Sequence, residues 1–75
     1  RNTMLSQTIL EELRPIAAAF VGAGEVELLQ GRVAFLARGE DGAEACRAYI
    51  ENLPKSSVPL SGIVEVIPGV YGVVR

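Results

Sequence analysis

The stretch GEVELLQGRVAFLAR, residues 24–38, decides the fold, because apolar and polar side chains alternate around Gln30-Gly31. Alternation with a period of two is typical of a β-strand with one buried face. With Gln30-Gly31 as the loop, the four apolar residues of one face pair as follows: Leu28 with Val33, and Val26 with Phe35. A shift of one residue would divide this apolar set between two faces. We therefore predict a β-hairpin.

The loop of this hairpin has two interpretations. A two-residue type I′ turn requires positive φ at both loop positions, which suits Gly31 but not Gln30. The alternative is a three-residue loop that ends at Arg32. In both interpretations, Glu25 and Glu27 lie on the outer face of the first strand.

A helix is predicted before the hairpin, over residues 5–20. Its apolar side chains recur at helical spacing: Ile9, Leu13, Ile16 and Phe20. Thr8 and Glu11 have the spacing of a capping box. Pro15 removes one backbone hydrogen bond, so we expect a kink near the start of the helix rather than a break.

A second helix is predicted after the hairpin, from Gly42 or Ala43 to Leu53. Asp41 is a good N-cap residue, and Glu44 three residues later completes a capping box. The inner stripe of this helix contains Ala43, Cys46, Ile50 and Leu53.

The C-terminal part divides at the turn signal Pro68-Gly69. Residues 70–75 predict a strand, and β-branched residues favour a strand over residues 63–67 as well. A short helix opening at Pro59 is the alternative for that segment. Residues 1–75 are thus predicted to form one α+β domain, in the order helix, strand, strand, helix, strand and strand. We expect a two-layer sandwich, with both helices on one face of a small antiparallel or mixed sheet.

Composition excludes several classes of function. The 75 residues contain one cysteine and no histidine, so neither a disulfide nor a zinc site is expected. The net charge is −2 and the basic residues are scattered, which argues against nucleic-acid binding. No apolar run is long enough for a transmembrane segment. We interpret Met4 as the initiator and residues 1–3 as a cloning remnant, and we expect a cytoplasmic location.

Few residues offer chemistry. Cys46 is a candidate reactive thiol or shared metal ligand, but its place on the inner stripe favours a core role. Glu25 and Glu27 could form a carboxylate pair for acid/base work or a cation site, but we favour the interpretation that they are a solvated strand face. No catalytic constellation is recognised, so we expect no enzyme activity, no cofactor and no resident metal.

A partner surface is predicted from apolar residues left over on the outer sheet face. Four residues form this predicted interface: Leu29, Leu36, Tyr71 and Val73. Because a core of about 75 residues is marginal without support, we predict a twofold homodimer, with another protein partner as the alternative.

Two families resemble parts of the chain. The segments ILEELRPIAAA (residues 9–19), GEVELLQGRVAFLARG (24–39) and IPGVYGVV (67–74) resemble the NifU-like C-terminal domain of iron–sulfur cluster scaffolds. That family's Cys-x-x-Cys pair is expected after Gly39, where this chain has GEDGAEAC with Cys46 alone. GRVAFL and PGVYGVV are similar to the hairpin and terminal strand of the BON domain, a module linked to envelopes and to lipid or partner binding.

Three functions are compatible with these observations. The first is a non-catalytic interaction or assembly module that self-associates, a NifU-like domain that kept the fold and lost the ligands. The second is thiol-dependent handling of a metal or iron–sulfur cluster through Cys46 in a dimer. The third is a BON-like envelope or lipid-associated domain.

Overall fold

The computed structural model describes residues 7–56, 60 and 62–75. Its elements are α1 (Gln7–Ala19), β1 (Gly24–Leu28), β2 (Val33–Arg38), α2 (Gly42–Glu51), β3 (Gly62–Ile67) and β4 (Val70–Val74). The α+β class and the predicted order of elements are confirmed, and the segment 63–67 is a strand. The predicted helix start at residue 5 and the alternative start at Pro59 lie outside the described residues.

The four strands form one antiparallel sheet in the order β1-β2-β4-β3. The last strand of the sequence is therefore a central strand, paired with β2 on one side and β3 on the other. Strands β1 and β3 are the two edges. Gly69 has a φ of 87°, which is what the second central position of a type II turn between β3 and β4 requires.

The two helices pack on opposite faces of the sheet. Helix α1 packs Leu13 and Ala17 on what we call the first face, which contains Leu36, Val70 and Val74. Helix α2 packs Cys46 on the second face, which contains Phe35, Ala37 and Val73. The expectation that both helices share one face is wrong. Since β2 (VAFLAR) and β4 (VYGVV) are apolar at nearly every position, their side chains need cover on both sides.

The register of the hairpin agrees with the prediction at one end only. Leu28 pairs with Val33, but Glu25 rather than Val26 pairs with Phe35, because the ladder is irregular between Glu25 and Leu28. As a result Val26 packs toward the first face and Phe35 toward the second. The predicted single face for Val26 and Phe35 is therefore wrong.

The hairpin loop has four residues, so neither predicted loop length is correct. The strands end at Leu28 and resume at Val33. Leu29, Gln30 and Gly31 have φ of 48°, 61° and 82°. The Arg32 amide donates to the Leu28 carbonyl at 2.9 Å, which closes this left-handed turn. Positive φ in a leucine and a glutamine is uncommon, and the closing hydrogen bond helps to hold them there.

Both helices differ slightly from the predictions at their ends. Pro15 lies inside α1 without breaking it, as expected. Asp41 is the N-cap residue of α2, but its side chain makes no capping hydrogen bond, so the predicted capping box is not formed. At the C-terminal end of α1, a side chain from the sheet contacts the helix: Arg38 on β2. Its guanidinium donates to the carbonyl oxygens of Phe20 at 2.7 Å and Ala17 at 3.2 Å.

Candidate interaction surface

A groove of about 430 Å³ lies on the second face of the sheet, between β1 and α2. Glu25 on β1 and Phe35 on β2 line one side of it. The other side is formed by α2 and the turn that follows it, through Ala45, Ala48, Tyr49, Asn52 and Leu53. We call this depression the α2 groove.

Two stacked aromatic rings lie at the centre of the α2 groove. The rings of Phe35 and Tyr49 have centroids 4.6 Å apart and planes inclined by 16°. Both side chains are half-buried, so each pairs with the other and still presents part of its ring to the groove. Aromatic surface of this kind supplies much of the contact energy at protein interfaces.

The position of α2 over the sheet creates the groove. Helix α2 packs against β2, β4 and β3, so β1 projects beyond it as a ledge. Gly42 starts the helix very close to the sheet, because a Cβ at this position would lie 2.6 Å from Cδ1 of Tyr71. Any larger residue would therefore have to displace the Tyr71 ring or lift the start of α2.

The ledge is an edge strand. No described strand pairs with the outer side of β1, and edge strands leave backbone N–H and C=O groups available on that side. Along β1, Glu25 and Glu27 are exposed while Val26 and Leu28 are half-buried toward α1. The α2 groove therefore adjoins an open strand edge that carries two carboxylates.

The two carboxylates of β1 do not act as a pair. Glu27 accepts a hydrogen bond from the Arg75 guanidinium in an exposed ion pair across the second face. Glu25 lines the groove, and it makes no ion pair within the described part of the chain. Because Glu27 is engaged by Arg75 and Glu25 lines the groove, the two carboxylates do not form a joint acid/base or cation site.

The predicted interface does not form a continuous surface. Leu36 is 1% exposed beneath α1, and Val73 is fully buried beneath α2 on the opposite face of the sheet. Leu29 and Tyr71 are half-buried, again in different apolar clusters. The prediction of this interface requires that helices cover only one face of the sheet. Because both faces carry a helix, Leu36 and Val73 are core residues and not interface residues.

Cys46 is a free and fully buried thiol in the second-face core. Burial raises the pKa of the Cys46 thiol, and the neighbouring Arg47 charge opposes that shift only in part. The described residues contain no group of three or more His, Cys, Asp or Glu side chains placed to hold a metal ion. This environment favours the neutral thiol over the thiolate that metal binding and nucleophilic attack require.

Cys46 should react slowly with Ellman's reagent in the folded protein and rapidly in denaturant. Stability should also fall above about pH 8.5, where the thiol of the unfolded chain ionises while the buried thiol keeps its proton. Below that pH, Cys46 contributes no pH dependence. Urea titrations at pH 7 and pH 10 should show this loss in the wild type and a smaller one in Cys46→Ala. Complete labelling within seconds without denaturant would contradict the buried position.

A second depression lies between α1 and the hairpin loop. It has a volume of about 270 Å³ and is lined by Ile9, Glu12, Leu29, Gln30 and Arg32. Glu12 and Arg32 are both exposed at its rim. Opposite charges at the rim and the mixed lining give this depression no single ligand chemistry.

Sequence reasoning missed the residues of α2 that form the groove wall. Ala48 and Tyr49 lie three and four residues after Ala45, between the inner stripe and the charged outer face. Such a border row of small and aromatic residues is the signal that could have indicated a half-covered surface.

No protein-family model, curated protein or solved structure matches the chain. Neither helix in the described part of the chain is long and apolar enough to cross a membrane.

Proposed function

We propose that this chain is a non-catalytic protein-interaction module, and that it binds through the α2 groove and the adjoining edge of β1. The observation that carries the proposal is the stacked pair Phe35 and Tyr49, half-exposed in a groove directly beside an unpaired strand edge. This combination offers a partner both backbone hydrogen bonds and an apolar anchor.

The proposal is compatible with the risk of aggregation that the unpaired backbone groups of β1 carry. An unpaired edge strand promotes aggregation unless charge or a bulge protects it, and β1 has both, in its two glutamates and its ladder irregularity. Protection of this kind keeps the edge soluble while still leaving it accessible to a chosen partner.

Panning a phage library of random decapeptides against the chain tests the proposal. We expect enrichment of peptides that bind the wild type and bind poorly to Ala48→Met, in which a neutral helix-forming side chain fills the exposed side of the groove. Glu11→Lys, an exposed substitution on the opposite helix, is the matched control and should retain binding. A library without enriched peptides, or peptides indifferent to Ala48→Met, would count against the proposal.

Self-association remains a prediction from the small size of the chain, and its surface must lie elsewhere than on Leu36 and Val73. Light scattering behind a sizing column at high micromolar concentration decides it. A dimer would have twice the chain mass of 8.0 kDa. A mass near 8.0 kDa would reject the dimer and leave the interaction module intact as a monomeric binder.

The alternatives from the sequence receive less support. Thiol-dependent handling of a metal or cluster needs an accessible thiolate, and Cys46 is fully buried with a raised pKa. The likenesses to NifU-like and BON domains remain predictions, as does the cytoplasmic location.

A further inference from the structure

We infer that the partner at this site is an extended basic segment of another protein, which adds to β1 as a strand and places an apolar side chain on Phe35 and Tyr49. This inference rests on the proposed function and names the chemistry of its partner. Its starting point is Glu25, the one formally charged residue among those lining the α2 groove.

The charges around the groove favour a basic partner. Glu25 makes no ion pair with the described residues, so its carboxylate is free for a partner's cation. Nearby exposed charges on β1 and α2 are also mainly acidic. On the exposed face of α2, Glu44 and Glu51 outnumber Arg47, while Glu27 on β1 and Arg75 neutralise each other in their ion pair. A lysine or arginine opposite Glu25 would form a favourable cross-strand pair.

A second copy of this chain is a poor occupant of the same edge. Antiparallel pairing of β1 with itself about a twofold axis would bring Glu25 and Glu27 close to the same two residues of the other copy. Like charges opposite each other destabilise paired strands. This charge repulsion selects against pairing with a second copy and leaves pairing with a basic segment available.

An extended segment fits the site better than a helix. The open edge of β1 spans five residues, Gly24–Leu28, and offers backbone groups that only an extended chain can pair with. Residues two apart on an added strand point to the same face, at a spacing of about 6.6 Å. One such residue can pair with Glu25 while its neighbour on that face reaches toward the exposed ring surface of Phe35 and Tyr49.

Fluorescence polarisation with labelled hexapeptide pools tests the inference. In one pool, positions two residues apart carry lysine, an aromatic residue and lysine in turn, so that all three side chains lie on the same face of the added strand. The matched pool carries glutamate in place of lysine. We expect the lysine pool to bind at least about fivefold more tightly. Glu25→Lys should remove this preference, whereas Glu11→Lys, which makes the same charge change on the other side of the molecule, should preserve it.

Two further arms separate the parts of the inference. If the segment pairs with β1 as an added strand, N-methylation of alternate peptide amides should abolish binding. Unchanged binding would contradict pairing of the segment as a strand. Equal affinity for both pools, with Glu25→Lys without effect, would overturn the basic partner while leaving the proposed function standing. If neither pool binds and the decapeptide library also yields no groove-dependent peptide, the proposed function fails together with the inference.

Discussion

Replacing Leu36 with alanine should lower the free energy of unfolding by about 2–5 kcal/mol. Leu36 is 1% exposed, packs in the cluster that joins α1 to the sheet, and lies against Gly72 on the neighbouring strand. Gly72 has no side chain that could move into the space. A domain of this length has a total stability of roughly 4–11 kcal/mol, so the substitution would remove a large fraction of it. Urea denaturation followed by circular dichroism measures the loss.

Val21→Ala is the matched control for this truncation. Val21 is 89% exposed, so removing its methyl groups should change stability by less than about 0.5 kcal/mol. The two variants also distinguish the core position of Leu36 from the interface position that the sequence favoured. A Leu36→Ala protein with normal unfolding but a reduced mass in solution would restore the interface and contradict the fold described above.

Replacing Arg38 with alanine should lower the free energy of unfolding by about 1–2 kcal/mol. Arg38 lies at the end of β2, and its guanidinium donates to carbonyl oxygens at the C-terminal end of α1. The Ala17 carbonyl also accepts from the Phe20 amide at 3.1 Å. The last carbonyl groups of a helix nevertheless lack their i+4 donors, and a positive charge beside them interacts favourably with the negative end of the helix dipole. Thermal unfolding of Arg38→Ala should show the loss.

Arg38→Lys should recover only part of the stability, because one ammonium group cannot reproduce the fork of the guanidinium. Arg14→Ala on the exposed side of α1 is the control and should be nearly neutral. If Arg38→Ala were as stable as Arg14→Ala, water would be an adequate substitute at the helix end, and the link between β2 and α1 would not matter for stability.

The sequence allowed the elements and their order to be predicted, because each has its own local signal. The β1 segment alternates cleanly, so the Leu28–Val33 pairing next to the loop could be read directly. The β2 segment VAFLAR is apolar at every position but the last, a pattern typical of a strand buried on both faces, although the prediction assigned it a single buried face. Two predictions depend on that single buried face and are wrong for the same reason. They are the placement of both helices on one face of the sheet and the assignment of Leu36 and Val73 to an interface.

The α2 groove could not be predicted from local patterns, because it depends on where a helix lies over a sheet. Phe35 was expected in the core, and the pattern alone could not show that α2 would leave its ring half-exposed beside β1. The ladder irregularity that separates Val26 from Phe35 also has no signal at either residue. Glu25 was identified as an exposed strand residue, but its role as the acidic side of a groove became visible only with α2 in place.

The central position of β4 has a consequence for how the chain folds during synthesis. Strand β4 is made last among the described elements, yet both β2 and β3 depend on it for pairing. Until Val70–Val74 has left the ribosome, the emerging chain can form its helices and first hairpin but not a four-stranded sheet. Contacts between segments so distant in sequence form slowly, and apolar strands that wait for a partner are exposed to misassembly. Folding is therefore expected to follow release of the C-terminal strand in a single late step.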